Sequence, residues 1–376
     1  MKHVIIFSGA LDNVGDLALL QSCVEGLRRQ SDFAFAQIWS YCWGDVPETA
    51  KMALERMDVA PISGKSIKPY TLLGPDTLLL WGGGQLLRNN ASNNSLRAAE
   101  ALSRLAILTG AKTAVIGCGV SELSADKVKR YRRIFKNADL FAVREDFSVV
   151  GAAPLLKKVK PVVTQDLAFS FGALWEPYTA DSNRTSLLVA PCEDDSEQRT
   201  VDDEQILQLI LAAKHRYPNL ATEFISHDVR PHMDPAVCQK LSIALSQKDI
   251  SSTQNSSLIL SEVLRTYERS HLVVTNRMHA AIFAYARGCA VIIVDDGNPK
   301  TRAIAKKLGL VTVPVSETNR SKLEDAIDRA EKVKASTTRR DTLDKMRATS
   351  ESNFDLLRKA VRKESTNTIL EDLTSA

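Results

Sequence analysis

Thr77-Leu78-Leu79-Leu80-Trp81-Gly82-Gly83-Gly84 is the stretch on which the fold turns. The apolar run is too short for a helix, and three glycines stop it, so it reads as a strand buried on both faces. Such strands belong to parallel sheets covered by helices on either side. The same alternation extends outward. Toward the N-terminus, residues 4–7 form a second apolar strand, and residues 16–30 a helix with Leu17, Leu20, Val24 and Leu27 on one face. A strand near 33–39 and a helix near 47–56 lie between. Toward the C-terminus come helix 95–109, strand 113–116, helix 125–136, and strands 140–143 and 162–164.

Residues 175–185 are polar, carry Pro, Asp and Asn, and break the rhythm, which predicts a linker. A second alternation follows. Its strands are 186–190, 222–225, 272–275 and 290–294, and its helices are 202–216, 236–245, 258–269, 279–287 and 300–308. Gly309 stops the last of these as a C-cap. The tail is charged and helical to about residue 363, with residues 364–376 polar and frayed. The expected architecture is α/β: two Rossmann-like, doubly wound domains, 1–178 and 186–320, facing a cleft, with a helical tail at 321–376.

Composition agrees with two soluble domains. The chain has 376 residues, at about 150 per domain. Forty-four per cent are hydrophobic and 25% charged, which excludes disordered and collagen-like classes. Forty-nine Lys and Arg against 45 Asp and Glu leave a net charge of +4, too small to argue for nucleic acid as partner. The six cysteines are scattered singly and read as reduced, buried thiols. The first apolar run is too short for a signal peptide, and no run approaches the roughly 20 residues of a membrane span, so a soluble, cytoplasmic protein is expected.

Candidate chemistry falls at strand ends. The loop from Ser8 to Asp16 includes Asn13-Val14-Gly15-Asp16; Gly15 allows close backbone approach, and Asn13 or Asp16 is a candidate helix cap. Gly82, Gly83 and Gly84 cost about 1 kcal/mol each in regular structure and predict a loop against a ligand or a tight turn. Gly117-Cys118-Gly119 repeats this more weakly. Arg144 either pairs with a carboxylate such as Glu145 or Asp166 or receives an anion, and both readings stay open. Asp166 either orients a basic group or caps a turn.

In Thr275-Asn276-Arg277-Met278-His279, a buried strand ends and a small-residue helix begins. His279 then sits at a helix N-terminus, where it holds a proton only with an anion bound beside it. Lys300 opens another helix, a position suited to meeting an anion. Asp295 and Asp296 lack a third ligand at metal spacing, so no metal is expected. His227, Arg230 and His232 read as a solvated rim loop. Trp43 is the best candidate among the tryptophans for a sugar platform.

Taken in order, Asn13-Val14-Gly15-Asp16, Gly82–Gly84, Gly117-x-Gly119, Val143-Arg144-Glu145-Asp146, Gln165-Asp166-Leu167-Ala168 and Arg277-x-His279-Ala280 make the chain resemble the polysaccharide pyruvyl transferase family over roughly residues 3–310. The resemblance implies a GT-B-like fold, phosphoenolpyruvate as donor and a sugar of a surface glycan, often lipid-linked, as acceptor. It places the catalytic histidine at His279 and donor-binding basic residues at Arg144, Arg277 and Lys300. The acceptor side falls to the N-terminal domain, with Asn13, Gly15, Asp16, Gly82–Gly84 and Asp166. It calls for no metal or redox cofactor. A lipid-linked acceptor would bring the cytoplasmic enzyme into peripheral contact with the inner face of the membrane. The alternative on the same fold is a GT-B nucleotide-sugar glycosyltransferase; a third is a sugar-binding protein without turnover.

Overall fold

The computed structural model describes residues 1–43, 45–177, 184–193 and 203–364. Seven parallel strands form the first sheet: β1 (His3–Phe7), β2 (Gln37–Cys42), β3 (Ala60–Ser63), β4 (Thr77–Leu87), β5 (Lys112–Val120), β6 (Leu140–Val143) and β7 (Val162–Val163). Their order is β3-β2-β1-β4-β5-β6-β7. The connecting helices are α1 (Val14–Arg29), α2 (Glu48–Arg56), α3 (Lys68–Thr71), α4 (Asn93–Thr109), α5 (Ala125–Phe135) and α6 (Asp146–Ala152).

Six parallel strands form the second sheet: β8 (Ser186–Ala190), β9 (Ala221–Ile225), β10 (Ser252–Asn255), β11 (Ser270–Thr275), β12 (Ala290–Asp295) and β13 (Val311–Pro314). Their order is β10-β9-β8-β11-β12-β13. Helices α7 (Asp203–Arg216), α8 (Asp234–Ser246), α9 (Leu260–Glu268), α10 (Met278–Ala286), α11 (Pro299–Leu308), α12 (Arg320–Lys334) and α13 (Arg339–Arg362) complete the chain. Both orders are those of doubly wound, dinucleotide-type sheets, as the alternation of the sequence predicts.

Two compact units divide the chain. One takes Met1–Leu11, Asp16–Gly172 and the described residues from Lys345 on; the other takes Asp12–Gly15 and Ala173–Asp344. The charged tail is therefore shared. Helix α12 buries Leu323, Ala326, Ile327 and Ala330 in the core of the six-stranded sheet. The later part of α13 serves the other unit through Asn353. That side chain accepts from Gly117 N–H (3.1 Å) and Thr164 Oγ1 (2.9 Å) and donates to Gln165 O (3.3 Å). Parts of the expected linker, residues 178–183, and of the expected frayed end, residues 365–376, lie outside the described residues. Among the described residues no helix is long and apolar enough to cross a membrane, and the six cysteines are buried and form no disulfide.

The structure differs from the sequence reading at sheet edges and at the glycines. Strands β3, β10 and β13 have no counterpart in that reading. Each is four residues long and lies at or next to an edge, where a one-sided partner demands little apolar sequence; Ser252–Asn255 is wholly polar. The run Gly82-Gly83-Gly84 is not a loop. Strand β4 continues through it to Leu87, pairing Gly82 with Ile116 and Gly84 with Cys118. All three glycines are buried, and α1 lies across them. A Cβ at Gly82 would stand 2.5 Å from Cys23 Sγ, and one at Gly83 would stand 3.1 Å from Leu19 Cβ. The entropy cost of the glycines is thus offset by close packing of a helix on a strand. Gly117 and Gly119 likewise belong to β5.

Gly83 also has a φ of +75°. Gly83→Ala combines left-handed backbone strain with crowding at Leu19. The expected loss is about 1–3 kcal/mol of stability, read as a lower urea midpoint with an unchanged slope.

Candidate active site

Ligands of doubly wound sheets gather at the carboxyl ends of the strands, where the strand order reverses. In the six-stranded sheet that point lies between β8 and β11. Here Asn276, the first residue beyond β11, ties three loops together. Its Oδ1 accepts from Cys192 N–H (2.7 Å), and its Nδ2 donates to Cys192 O (2.8 Å) and Asp296 Oδ2 (3.2 Å). Thr301 Oγ1 donates to its carbonyl (3.2 Å). The loops after β8, β11 and β12 are thereby held by one buried amide.

Arg277 follows as the N-cap of α10, and its side chain makes no cap bond. Instead the buried guanidinium donates through Nη2 to Asp234 Oδ1, while its Nε is buried without an acceptor among the described residues. Burial opposes the charge on Arg277, but Asp234 outweighs it, and the guanidinium is held above its ordinary pKa. Asp234 Oδ2 accepts from the backbone N–H groups of His227 and Asp228, both at 2.9 Å. One carboxylate therefore joins the loop after β9 to the start of α10.

His279, in the first turn of α10, is half-buried, and its ring lies at 25° to Phe283 with centroids 6.4 Å apart. On the same Phe283 lies His227, whose Nε2 is 2.6 Å from the Tyr267 hydroxyl. Burial, with Arg277 and His279 adding to it, pushes the His227 pKa well down, so this imidazole is neutral. The loop containing His227 is thus not the solvated rim that its polarity suggests. His227 and Asp228 are buried, whereas Arg230, which grips Asp228 through Nε (2.8 Å) and Nη2 (2.6 Å), is half-buried and His232 is exposed.

Asp12–Gly15 dock beside this histidine. Val14 N–H donates to His227 O (2.8 Å), Val229 N–H donates to Asp12 O (2.9 Å), and Asn13 forms an antiparallel bridge with Asp228. Asn13 Oδ1 accepts from Gly15 N–H (2.8 Å) and so caps α1, one of the two alternatives left by the sequence. Gly15 lies directly against His279: a Cβ there would overlap the imidazole at Nδ1. Lys300 is half-buried in the first turn of α11, whose cap is Asn298, accepting from Lys300 N–H at 3.0 Å. Asn13, Gly15, Arg277, His279 and Lys300 thus belong to one unit.

Arg144 belongs to the other unit, and the structure resolves its two readings in favour of pairing. Its guanidinium is 2% exposed; Nε donates to Glu145 Oε1, Nη1 to Asp166 Oδ2 (2.8 Å) and Nη2 to Gln85 Oε1 (3.0 Å). Burial opposes its charge, Glu145 and Asp166 outweigh the burial, and its pKa stands above the ordinary value. Pairing with carboxylates is therefore the reading of Arg144 that the structure bears out, and its assignment to donor binding rests on the family resemblance alone. Asp166 does both things expected of it, pairing with Arg144 and accepting from Ala168 N–H (2.9 Å) as a cap. Asp16 accepts from Ala10 N–H (2.9 Å) within this same unit.

Asn276, Asp234 and Phe283 are the residues that sequence reasoning misses. Asp234-Pro235 is a helix-start signal, yet nothing local says that the carboxylate turns inward to Arg277.

Two substitutions test these assignments. Arg144→Met leaves two buried carboxylates without their cation. It is expected to cost about 3–5 kcal/mol in urea unfolding; a stable variant with a raised donor KM would instead assign Arg144 to donor binding. Gly15→Ala displaces the His279 ring and is expected to lower kcat at least tenfold, with far less change in the KM of the donor.

The family model for polysaccharide pyruvyl transferase matches residues 13–298, about three quarters of the chain. No curated protein sequence matches it. Among solved structures, a Neisseria meningitidis UDP-GlcNAc 2-epimerase bound to UDP-GlcNAc is similar, at 12% identity and a TM-score of 0.60, over 97% of this chain and 100% of that one. The S. aureus MnaA–UDP structure is similar at 14% identity and a TM-score of 0.56, over 95% of each chain. At such identities the likeness concerns the fold alone, and it agrees with a GT-B-like α/β architecture of two Rossmann-like units. The matched span runs from Asn13 to Asn298 and includes the Asn13–Gly15 strap, the Asp234 loop and the Arg277–His279 turn; this chain belongs to the polysaccharide pyruvyl transferase family.

Proposed function

We propose that the protein transfers the enolpyruvyl group of phosphoenolpyruvate to two hydroxyls of one sugar in a surface polysaccharide or its precursor, forming a pyruvate ketal and releasing phosphate. The observation that carries this reading is His279. It is a half-buried imidazole in the first turn of α10, packed between Phe283 and the bare backbone of Gly15. Beside it stand a buried guanidinium whose Nε has no acceptor among the described residues and a helix whose N-cap, Arg277, makes no side-chain cap bond.

The donor carries a phosphate and a carboxylate on a small three-carbon frame. Arg277 Nε, Lys300 and the first-turn N–H groups of α10 supply hydrogen bonds and positive potential for such an anion. The bound charge in turn favours the imidazolium form of His279. As general acid, His279 protonates the methylene carbon, and oxocarbenium character develops on the carbon bearing the phosphate. A sugar hydroxyl adds there and gives its proton to the imidazole, restoring the acid. Phosphate then departs as a second hydroxyl of the same sugar closes the ketal, and it carries that hydroxyl's proton away. The neutral, buried His227 shares the Phe283 face and keeps a second cation away from this acid. An acceptor still on its lipid carrier would bring the enzyme to the inner membrane surface.

His279→Ala is expected to abolish phosphate release from phosphoenolpyruvate in the presence of β-hexosides, while donor binding measured by calorimetry changes less than threefold. Retained turnover in that variant would remove His279 from the chemistry.

A further inference from the structure

We propose that the outer face of α4, α5 and the segment leading into β7 is a docking surface for a bilayer containing anionic phospholipid. A lipid-linked acceptor would give the enzyme a reason to be there, and that reason rests on the reading above. The surface itself is argued from charge and exposure and stands apart from it. Residues 125–160 hold ten Lys and Arg against four Asp and Glu, an excess larger than the net +4 of the whole chain. The rest of the chain is therefore slightly acidic, and a nearly neutral total conceals a strongly basic segment.

The fold gathers these cations on one side. Helix α4 turns Leu96, Ala99, Leu102 and Ala106 into the core of the seven-stranded sheet, and α5 turns Tyr131, Ile134 and Phe135 the same way. The two helices lie side by side: Ser103 Oγ donates to Ile134 O at 2.6 Å, and Arg133 Nη1 lies 3.7 Å from Glu100 Oε1. Lys158 N–H donates to Lys136 O at 3.2 Å, which lays the stretch before β7 against the end of α5. Arg104 of α4, Lys129, Arg132 and Lys136 of α5, and Lys157 and Lys160 beside them are all exposed. None of these six pairs with a carboxylate among the described residues. The nearby acids are taken by other cations, Asp126 by Arg130, Glu100 by Arg133 and Asp139 by Lys158. Arg132 and Lys136 stand one helical turn apart, so they repel each other unless an anionic surface faces them.

Aliphatic side chains are interleaved with the cations. Leu108, one turn beyond Arg104 on α4, is 82% exposed, and Ile107 beside it is 51% exposed. Val150 of α6 is 79% exposed, and α6 continues into the turn Ala153–Leu155, which packs on α5. A polyanion such as nucleic acid rewards the cations but leaves these side chains in water. The boundary between headgroups and acyl chains takes both. Anionic headgroups attract Lys and Arg, and Leu, Ile and Val reach past them toward hydrocarbon.

The test is co-sedimentation of the full chain with vesicles of phosphatidylcholine alone and of phosphatidylcholine with about one-third phosphatidylglycerol. Binding is expected to be at least tenfold tighter to the anionic vesicles and to weaken at least fivefold in about 0.5 M salt. The combined variant Lys129→Glu, Arg132→Glu, Lys136→Glu should lose at least tenfold in binding with an unchanged melting temperature. An equal reversal of charge on α12 (Arg320→Glu, Arg329→Glu, Lys332→Glu) should leave binding within twofold, which separates this face from net charge. Leu108→Ser with Val150→Ser should weaken binding at least threefold. Equal binding to both vesicles, no binding, or full binding by the α5 variant overturns the proposal. Undiminished binding by the Leu108, Val150 variant makes the face a polyanion site and overturns it too. Vesicle binding by a protein that never releases phosphate would sink the pyruvyl-transfer reading and leave this surface standing. Turnover of soluble β-hexosides without vesicle binding would do the reverse.

Discussion

Parallel strands cannot be joined by hairpins, and this constraint places everything functional in the molecule. Connections cross over the sheet through helices, so both faces are covered and the central strands are buried on two sides. The exposed, variable backbone is then confined to the strand ends. At the carboxyl ends the strand order reverses once in each sheet, between β1 and β4 and between β8 and β11. The Ser8–Ala10 loop follows β1, and Asn276, Arg277 and His279 follow β11. The chemistry-bearing residues lie where the topology leaves room.

Buried charge is handled in two ways with different consequences. Arg144 is surrounded by Glu145, Asp166 and Gln85, and this cluster closes on itself. Arg277 has one carboxylate, Asp234, and a buried Nε without an acceptor among the described residues. The first arrangement pairs the cation with two carboxylates and an amide; the second keeps a directional donor at the edge of a helix N-terminus. Both residues are arginines at the carboxyl end of an apolar strand, and they differ in the carboxylates to which their guanidinium groups donate.

Glycine has two kinds of work here, and both are steric. Gly82 and Gly83 let α1 settle onto β4, where Cys23 and Leu19 occupy the space of absent side chains. Gly15 lets backbone touch the His279 ring. The Gly82–Gly84 run looks like a ligand loop because consecutive glycines are costly wherever nothing compensates them. The compensation is a helix packed from residues 60 positions earlier in the chain, which no local signal reveals. The polar edge strand β10 is hidden for the related reason that an edge needs little apolar sequence.

What the sequence by itself determines is the alternation of strand and helix, the division into two doubly wound units, and the position of Arg277 and His279 at the end of a buried strand. These follow from hydrophobic period, glycine and proline, which act between neighbours in the chain. The ordered motifs add the family, because a set of weak signals in fixed succession is specific where each alone is not. Only the tertiary structure decides that Arg144 pairs with carboxylates, that Asp234 turns inward to Arg277, and that Gly15 faces His279. These pairings join residues 22, 43 and more positions apart. Their energies depend on distance and desolvation in the folded interior, quantities that a linear pattern does not contain.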